Sequence, residues 1–200
     1  PSGAVTTYNS ESLLRSEITA NGDSDIVLCS DVELMNTGSI AIPFNSRNLY
    51  LNGHTVTHKQ NDVHTFMFRQ NTYGNFNIVG PGTIETENTR SLFTSESSNS
   101  NVTSDYGIVA TNVTFVTNGQ LADLRIGQHK FVNCTIIQND TTKFVFALWN
   151  KNPYFDDGET PSNLLSVTFD GCSITSSAGL ISYSAGSYSE VYLKNTAVSV

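Results

Sequence analysis

An imperfect repeat of roughly 25 residues constrains this chain most, because periods of 20–50 residues belong to solenoids, propellers and arrays. The template reads apolar–x–(Gly/Asn)–x–x–(Val/Ile). It fits Leu51–Val56, Phe131–Ile136, Phe169–Ile174 and Leu193–Val198, with Gly53, Asn133, Gly171 and Asn195 at the third position. Ile78–Ile84 fits with one inserted residue and puts Gly80 third, while Ile108–Val113 puts Ala110 there. The first residues fall at 51, 78, 108, 131, 169 and 193, in steps of 27, 30, 23, 38 and 24. Ile26–Leu28 marks an earlier unit.

Each unit alternates β-branched or aromatic residues with polar ones, as in Tyr188–Leu193, which is the pattern of a strand and not of a helix. Successive strand side chains point to opposite faces, so two strands that share one core need a bend between them. Gly or Asn at the third template position supplies it, because both tolerate the left-handed backbone conformation. A further apolar stretch in each unit, such as Phe66–Phe68 or Phe144–Leu148, provides another strand. The expected fold is all-β: a single-stranded right-handed parallel β-helix of about seven rungs. Residues 25–200 form the helix, with a long inserted loop at about 149–163, and residues 1–24 form an N-terminal segment.

The phrases LNGHTVT (Leu51–Thr57) and IVGPGTI (Ile78–Ile84) resemble those of the pectin-lyase-like right-handed β-helix superfamily, over about residues 25–200. That superfamily holds polysaccharide lyases, polygalacturonases, phage tailspikes and surface adhesins. The matching phrases are turn chemistry, so the resemblance implies the fold and leaves the activity open.

A solenoid must cover its ends. Residues 10–18 read as a short capping helix, with Ser10 as N-cap, Glu11 at the positive end of the dipole, and Leu13, Leu14 and Ile18 on one side. The segment Val191–Val200 remains in strand pattern with no comparable cap. Either the sequence is a fragment of a longer chain, or further copies of the chain or a larger assembly, a homotrimer among them, are expected to pack there. The N-terminus lacks a basic region followed by an apolar one, so export by that route would require a signal removed upstream.

Net charge is −8, and the 10 Lys and Arg nowhere cluster, which argues against nucleic acid and anionic membrane as partners. No apolar run is long enough for a membrane-spanning helix, so membrane insertion is not expected. Charged residues make up only 14%, and 21 Asn together with Ser and Thr take their place.

The step of 38 residues contains an insertion with the single Trp, Trp149, followed by Tyr154, Phe155, Asp156, Asp157 and Glu159. Aromatic faces stack on sugar C–H surfaces, and carboxylates accept hydroxyl hydrogen bonds or bind Ca2+, the one cofactor considered. Trp149, Tyr154 and Phe155 are therefore carbohydrate-binding candidates. Asp156, Asp157 and Glu159 are the weaker catalytic candidates, since glycosidase carboxyls must converge at a fixed separation. The polygalacturonase pattern is not assembled: Leu124-Arg125-Ile126-Gly127 is a fragment of its last element, no Gly-His-Gly occurs, and Asp156-Asp157 comes in the wrong order. Asp123 and Arg125 face one way and read as an exposed ion pair. His54 and His58 read as outward neighbours of one strand, with no metal site implied. Cys134 and Cys172 share one template position and are expected to stack in the core as apolar thiols.

The expected function is a non-catalytic structural or attachment module. It would be a phage virion component (tail fibre, tailspike or capsid decoration) or a bacterial surface adhesin, in contact with a surface glycan. Its location would be the virion or the cell surface. The competing readings are a polysaccharide lyase or glycoside hydrolase, and a carbohydrate-binding module.

Overall fold

A computed structural model describes residues 5–20, 24–42, 46–68, 74–87, 89–95, 106–125, 127–148, 165–183 and 189–200. An opening strand β1 (Val5–Tyr8) leads into one helix, α1 (Glu11–Thr19). Strands then follow in threes. The first set is β2 (Asp25–Leu28), β3 (Val32–Leu34) and β4 (Ile40–Ile42); the second is β5 (Arg47–Tyr50), β6 (Thr55–His58) and β7 (Phe66–Phe68). Next come β8 (Gly74–Val79), β9 (Thr83–Thr86) and β10 (Phe93–Ser95), then β11 (Tyr106–Thr111), β12 (Thr114–Thr117) and β13 (Ala122–Leu124). The series continues with β14 (Gln128–Val132), β15 (Thr135–Gln138) and β16 (Phe146–Leu148), then β17 (Leu165–Asp170), β18 (Ser173–Ser176) and β19 (Ile181–Tyr183). It closes with β20 (Ser189–Lys194) and β21 (Ala197–Ser199).

The first strand of every set joins an eight-stranded sheet together with β1, the second a seven-stranded sheet, and the third a six-stranded sheet. Every pairing is parallel, and each strand pairs with its counterparts in the sets before and after it. The chain is thus all-β with three parallel sheets, an arrangement consistent with a parallel β-helix. We call them the first, second and third sheets.

In-register columns build the core. In the first sheet Ile26, Leu49, Ile78, Ala110, Phe131, Phe169 and Leu193 are successive strand partners. The second sheet contributes Val32, Val56, Ile84, Phe115, Ile136, Ile174 and Val198. Rings stack within sheets, Phe66 on Phe93 in the third at 5.5 Å between centroids and Phe131 on Phe169 in the first at 5.4 Å. Edge contacts of Phe115 with Phe93 and Phe131 join the two groups. Full burial of each such ring contributes roughly 1.5–3 kcal/mol. At the far end Leu193 and Val198 are 50% and 39% exposed.

Two units of the repeat are out of phase with this register. Leu49, not Leu51, stands in line with Phe131, and Ala110 takes the place assigned to Ile108. Leu51 is buried one step further on, at the corner. At Leu51 the cause is corner length, since the chain takes residues 51–54 to turn from β5 to β6. At Ile108 the corner, Asn112 and Val113, is as short as those after β14 and β17, and the template slips because Phe115, not Val or Ile, closes that unit. The left-handed residue of the latter corner is accordingly Asn112, φ 57°, and not Ala110.

Helix α1 begins and ends one residue later than expected and packs on β2, β3 and β4. Leu14 and Ile18 are fully buried, but Leu13 is 47% exposed, about a quarter-turn away from their stripe. Ser10 stands at the N-cap with an extended backbone but makes no side-chain cap bond. Two charged side chains tie the helix down instead. Glu11 accepts hydrogen bonds from the N–H groups of Met35 and Asn36, both at 2.9 Å, and from Arg15 at 2.6 Å. Arg47 of β5, 1% exposed, donates to the carbonyls of Glu17 (2.8 Å) and Ala20 at the C-terminal end of the helix. A buried cation there satisfies carbonyls that have no partner inside the helix.

Candidate functional site

Corner residues set the direction of every coil. Asn133, Gly171 and Asn195 have φ of 50°, 66° and 48°, and each occupies the step between the first and second sheets. Gly53 (φ 85°) follows Asn52 (φ 53°) in the longer corner before β6. Gly80 works differently. A Cβ there would lie 1.7 Å from the Asn112 carbonyl oxygen, so this glycine is required by close approach of the next coil.

The longest connections share one corner. Between the first and second sheets two to four residues suffice, whereas the links from the third sheet back to the first include residues 96–105 and 149–164. The proposed binding and catalytic residues Trp149, Tyr154, Phe155, Asp156, Asp157 and Glu159 all lie outside the described residues. Their anchors are described. Leu148 ends β16, Leu165 starts β17, and both are fully buried.

Beside these links lies the outer face of the third sheet, where Met67, Thr94, Asp123 and Ala147 are successive strand partners. Although they point away from the core, Thr94 and Ala147 are 6% and 3% exposed. Asp123 is half-buried, and its Oδ1 is enclosed without a hydrogen-bond partner. Burial pushes this carboxyl above its ordinary value, against the pull of nearby Arg125 and His64. The expected exposed ion pair of Asp123 with Arg125 is therefore not formed. Burial desolvates the carboxylate while Arg125 stays out of ion-pair contact. His64 is itself half-buried, and burial holds its imidazole below the usual range.

The other histidines also separate. His54 lies in the corner before β6, 3.6 Å from Asp31, but His58 points inward and is 1% exposed. Its placement reflects an interior polar column that the sequence pattern did not reveal. His58, Thr86, Thr117, Gln138 and Ser176 are successive partners along the second sheet, all inside. They satisfy the turns leading to the third sheet. Gln138 donates to the carbonyls of Gly119 (3.2 Å) and Asp140 (2.8 Å), and Ser176 donates to the Gln138 side-chain oxygen (2.9 Å). Most buried polar atoms in folded proteins are paired in this way. The alternation of β15 and β18 could have flagged Gln138 and Ser176 as inward positions.

Outward side chains also form ladders: Asn77 donates to Asn48 at 2.7 Å, and Asn48 to Asp25 at 2.8 Å. Cys134 and Cys172 are free thiols, buried at the corners after Asn133 and Gly171. Among the described residues no three or more His, Cys, Asp or Glu side chains converge as metal ligands, and no helix is long and apolar enough to cross a membrane. No protein-family model, curated protein or solved structure matches the chain.

Proposed function

We propose that the chain is a non-catalytic structural and attachment module built on a right-handed parallel β-helix of the pectin-lyase-like kind. Right-handed winding follows from the strong preference of parallel crossovers for that hand. The sets from β2 to β21 amount to about seven rungs. The observation that carries the functional reading is the continuity of the columns. Side chains stack in register through every set, inside as apolar and hydroxyl columns and outside as amide ladders. Such a scaffold is stiff along its axis and presents its long connections at one corner, as suits a virion fibre, tailspike, capsid decoration or surface adhesin. The protein would act on the virion or at the cell surface.

The 149–164 connection is the proposed contact with a surface glycan, through Trp149, Tyr154 and Phe155. Ca2+ held by Asp156, Asp157 or Glu159 is the cofactor compatible with those side chains. At the edge formed by β19, β20 and β21, where Leu193 and Val198 are exposed, further copies or a larger assembly would pack, a homotrimer among the arrangements.

Turnover and binding assays on pooled acidic and neutral polysaccharides, with glycan-array binding, test this reading. Glycan binding without bond cleavage, lost in Trp149→Ala, is expected. Cleavage that disappears in Asp156→Asn or Asp157→Asn would replace the module with a polysaccharide lyase or glycoside hydrolase.

A further inference from the structure

Cys134 and Cys172 occupy equivalent places in successive coils. Each follows the left-handed residue of its corner, and the strands after them pair Thr135 with Ser173. The Cys134 Sγ lies 3.6 Å from the carbonyl oxygen of Ala110 and 3.4 Å from that of Val132. The Cys172 Sγ lies 3.3 Å from the carbonyl of Phe131 and 3.6 Å from that of Asp170. Ala110 and Phe131 are strand partners, and so are Val132 and Asp170. Each sulfur thus has the same placement relative to its own coil and the one before it.

Equivalence fixes the separation. The two sulfurs are displaced by one strand spacing, about 4.8 Å. A disulfide needs an S–S distance of about 2.05 Å. Twice a typical metal–thiolate bond of about 2.3 Å spans a gap of one strand spacing closely. A single ion between the sulfurs would therefore sit with its two ligands on opposite sides. The column offers no third thiolate: Val113 holds the equivalent place in the coil before, and Thr196, bonded to the Lys194 carbonyl, in the coil after.

The same corners supply donors to a thiolate. The backbone N–H of Val113 faces the Cys134 sulfur, and the N–H of Cys134 faces that of Cys172.

We propose that Cys134 and Cys172 form a two-coordinate site for a soft monovalent cation of the Cu(I) or Ag(I) class. Binding replaces two S–H bonds by two metal–sulfur bonds and releases two protons, with no change in oxidation state. Soft thiolates favour such ions, whereas Zn2+ requires about four ligands and Ca2+ requires oxygens.

The test uses the whole chain carrying Cys29→Ser, which removes the exposed thiol. Titration with Ag(I) in chloride-free buffer, and with Cu(I) against a competing chelator, is read by intact mass and by proton release. One ion per chain, with two protons released per ion, is expected. Cys134→Val and Cys172→Thr borrow the side chains that occupy the neighbouring places of the column, and each should weaken retention at least about tenfold. Proton release needs no core substitution and so stands even if a variant fails to fold. The proposal is overturned if no ion survives the competition, or if either variant holds it as tightly. Closure of the two thiols to a disulfide by oxidised glutathione would also overturn it, because the sulfurs would then lie closer than one strand spacing.

Discussion

Asp123 carries an electrostatic cost that single substitutions can expose. Its folded-state pKa is raised by burial, so the folded chain favours the protonated acid. The associated stability is present below the ordinary value of 3.8 and is lost as pH rises through the folded value. Asp123→Asn should therefore raise the thermal midpoint at pH 7 and leave it nearly unchanged at pH 3; equal shifts at both would contradict the burial. His58 and His64 act in the opposite sense. Burial lowers both below 6.5, so their neutral forms stabilise the fold above that pH, and stability is lost on acidification through the ordinary value. Chemical denaturation at pH 7.5 and 5.5 should show a lower midpoint at the acid pH, with the difference reduced in His64→Gln. Arg47 is the residue whose role the sequence concealed. It sits where a strand's inward position should be apolar, and the carbonyls of Glu17, Ala20 and Ser24 explain its burial. Arg47→Met strands those acceptors and should cost about 2–3 kcal/mol.

At the scale of elements, the corners separate two uses of glycine. Gly80→Ala drives a Cβ to within 1.7 Å of a backbone oxygen and should cost about 3 kcal/mol or more, enough to read as a collapsed thermal midpoint. Gly53→Ala meets nothing within 4 Å and bears only its positive φ, so about 1 kcal/mol is expected. Reversal of that order would discredit the corner geometry. Strand existence was legible in the sequence because alternation and Asn or Gly corners recur at Phe131, Phe169 and Leu193. Phase was not legible at Leu51, where the corner takes four residues instead of two, nor at Ile108, where Ala110 and Phe115 stand at places the template reserved for a larger apolar residue and for Val or Ile. Inward polar positions such as Gln138 escaped for a related reason. Alternation from Ile136 places Gln138 inward, but a polar side chain there has no evident reason to be inside until its turn partners are known.

Across the whole molecule, local rules compound into long-range order. Each coil repeats the pairing of the one before, so the helix cap, the aromatic contacts and the polar column all run along one axis. The attachment reading depends on that axis being straight enough to stack side chains from end to end. The aromatics at 149–155 lie outside the described residues, and the half-buried pair Asp123 and His64 was not legible, because the third sheet's outer face is assembled from strands about 30 residues apart. Residues Thr55, Thr83, Thr114, Thr135 and Ser173 form one outward column of the second sheet. Spin labels at Thr55→Cys and Ser173→Cys, with Cys29→Ser, therefore read the stacking directly by electron–electron dipolar spectroscopy. Four strand spacings require a single narrow distribution near about 19 Å, broadened only by the label arms. A distribution centred beyond about 30 Å, or one without a dominant peak, would contradict the stacked coils on which every functional statement rests.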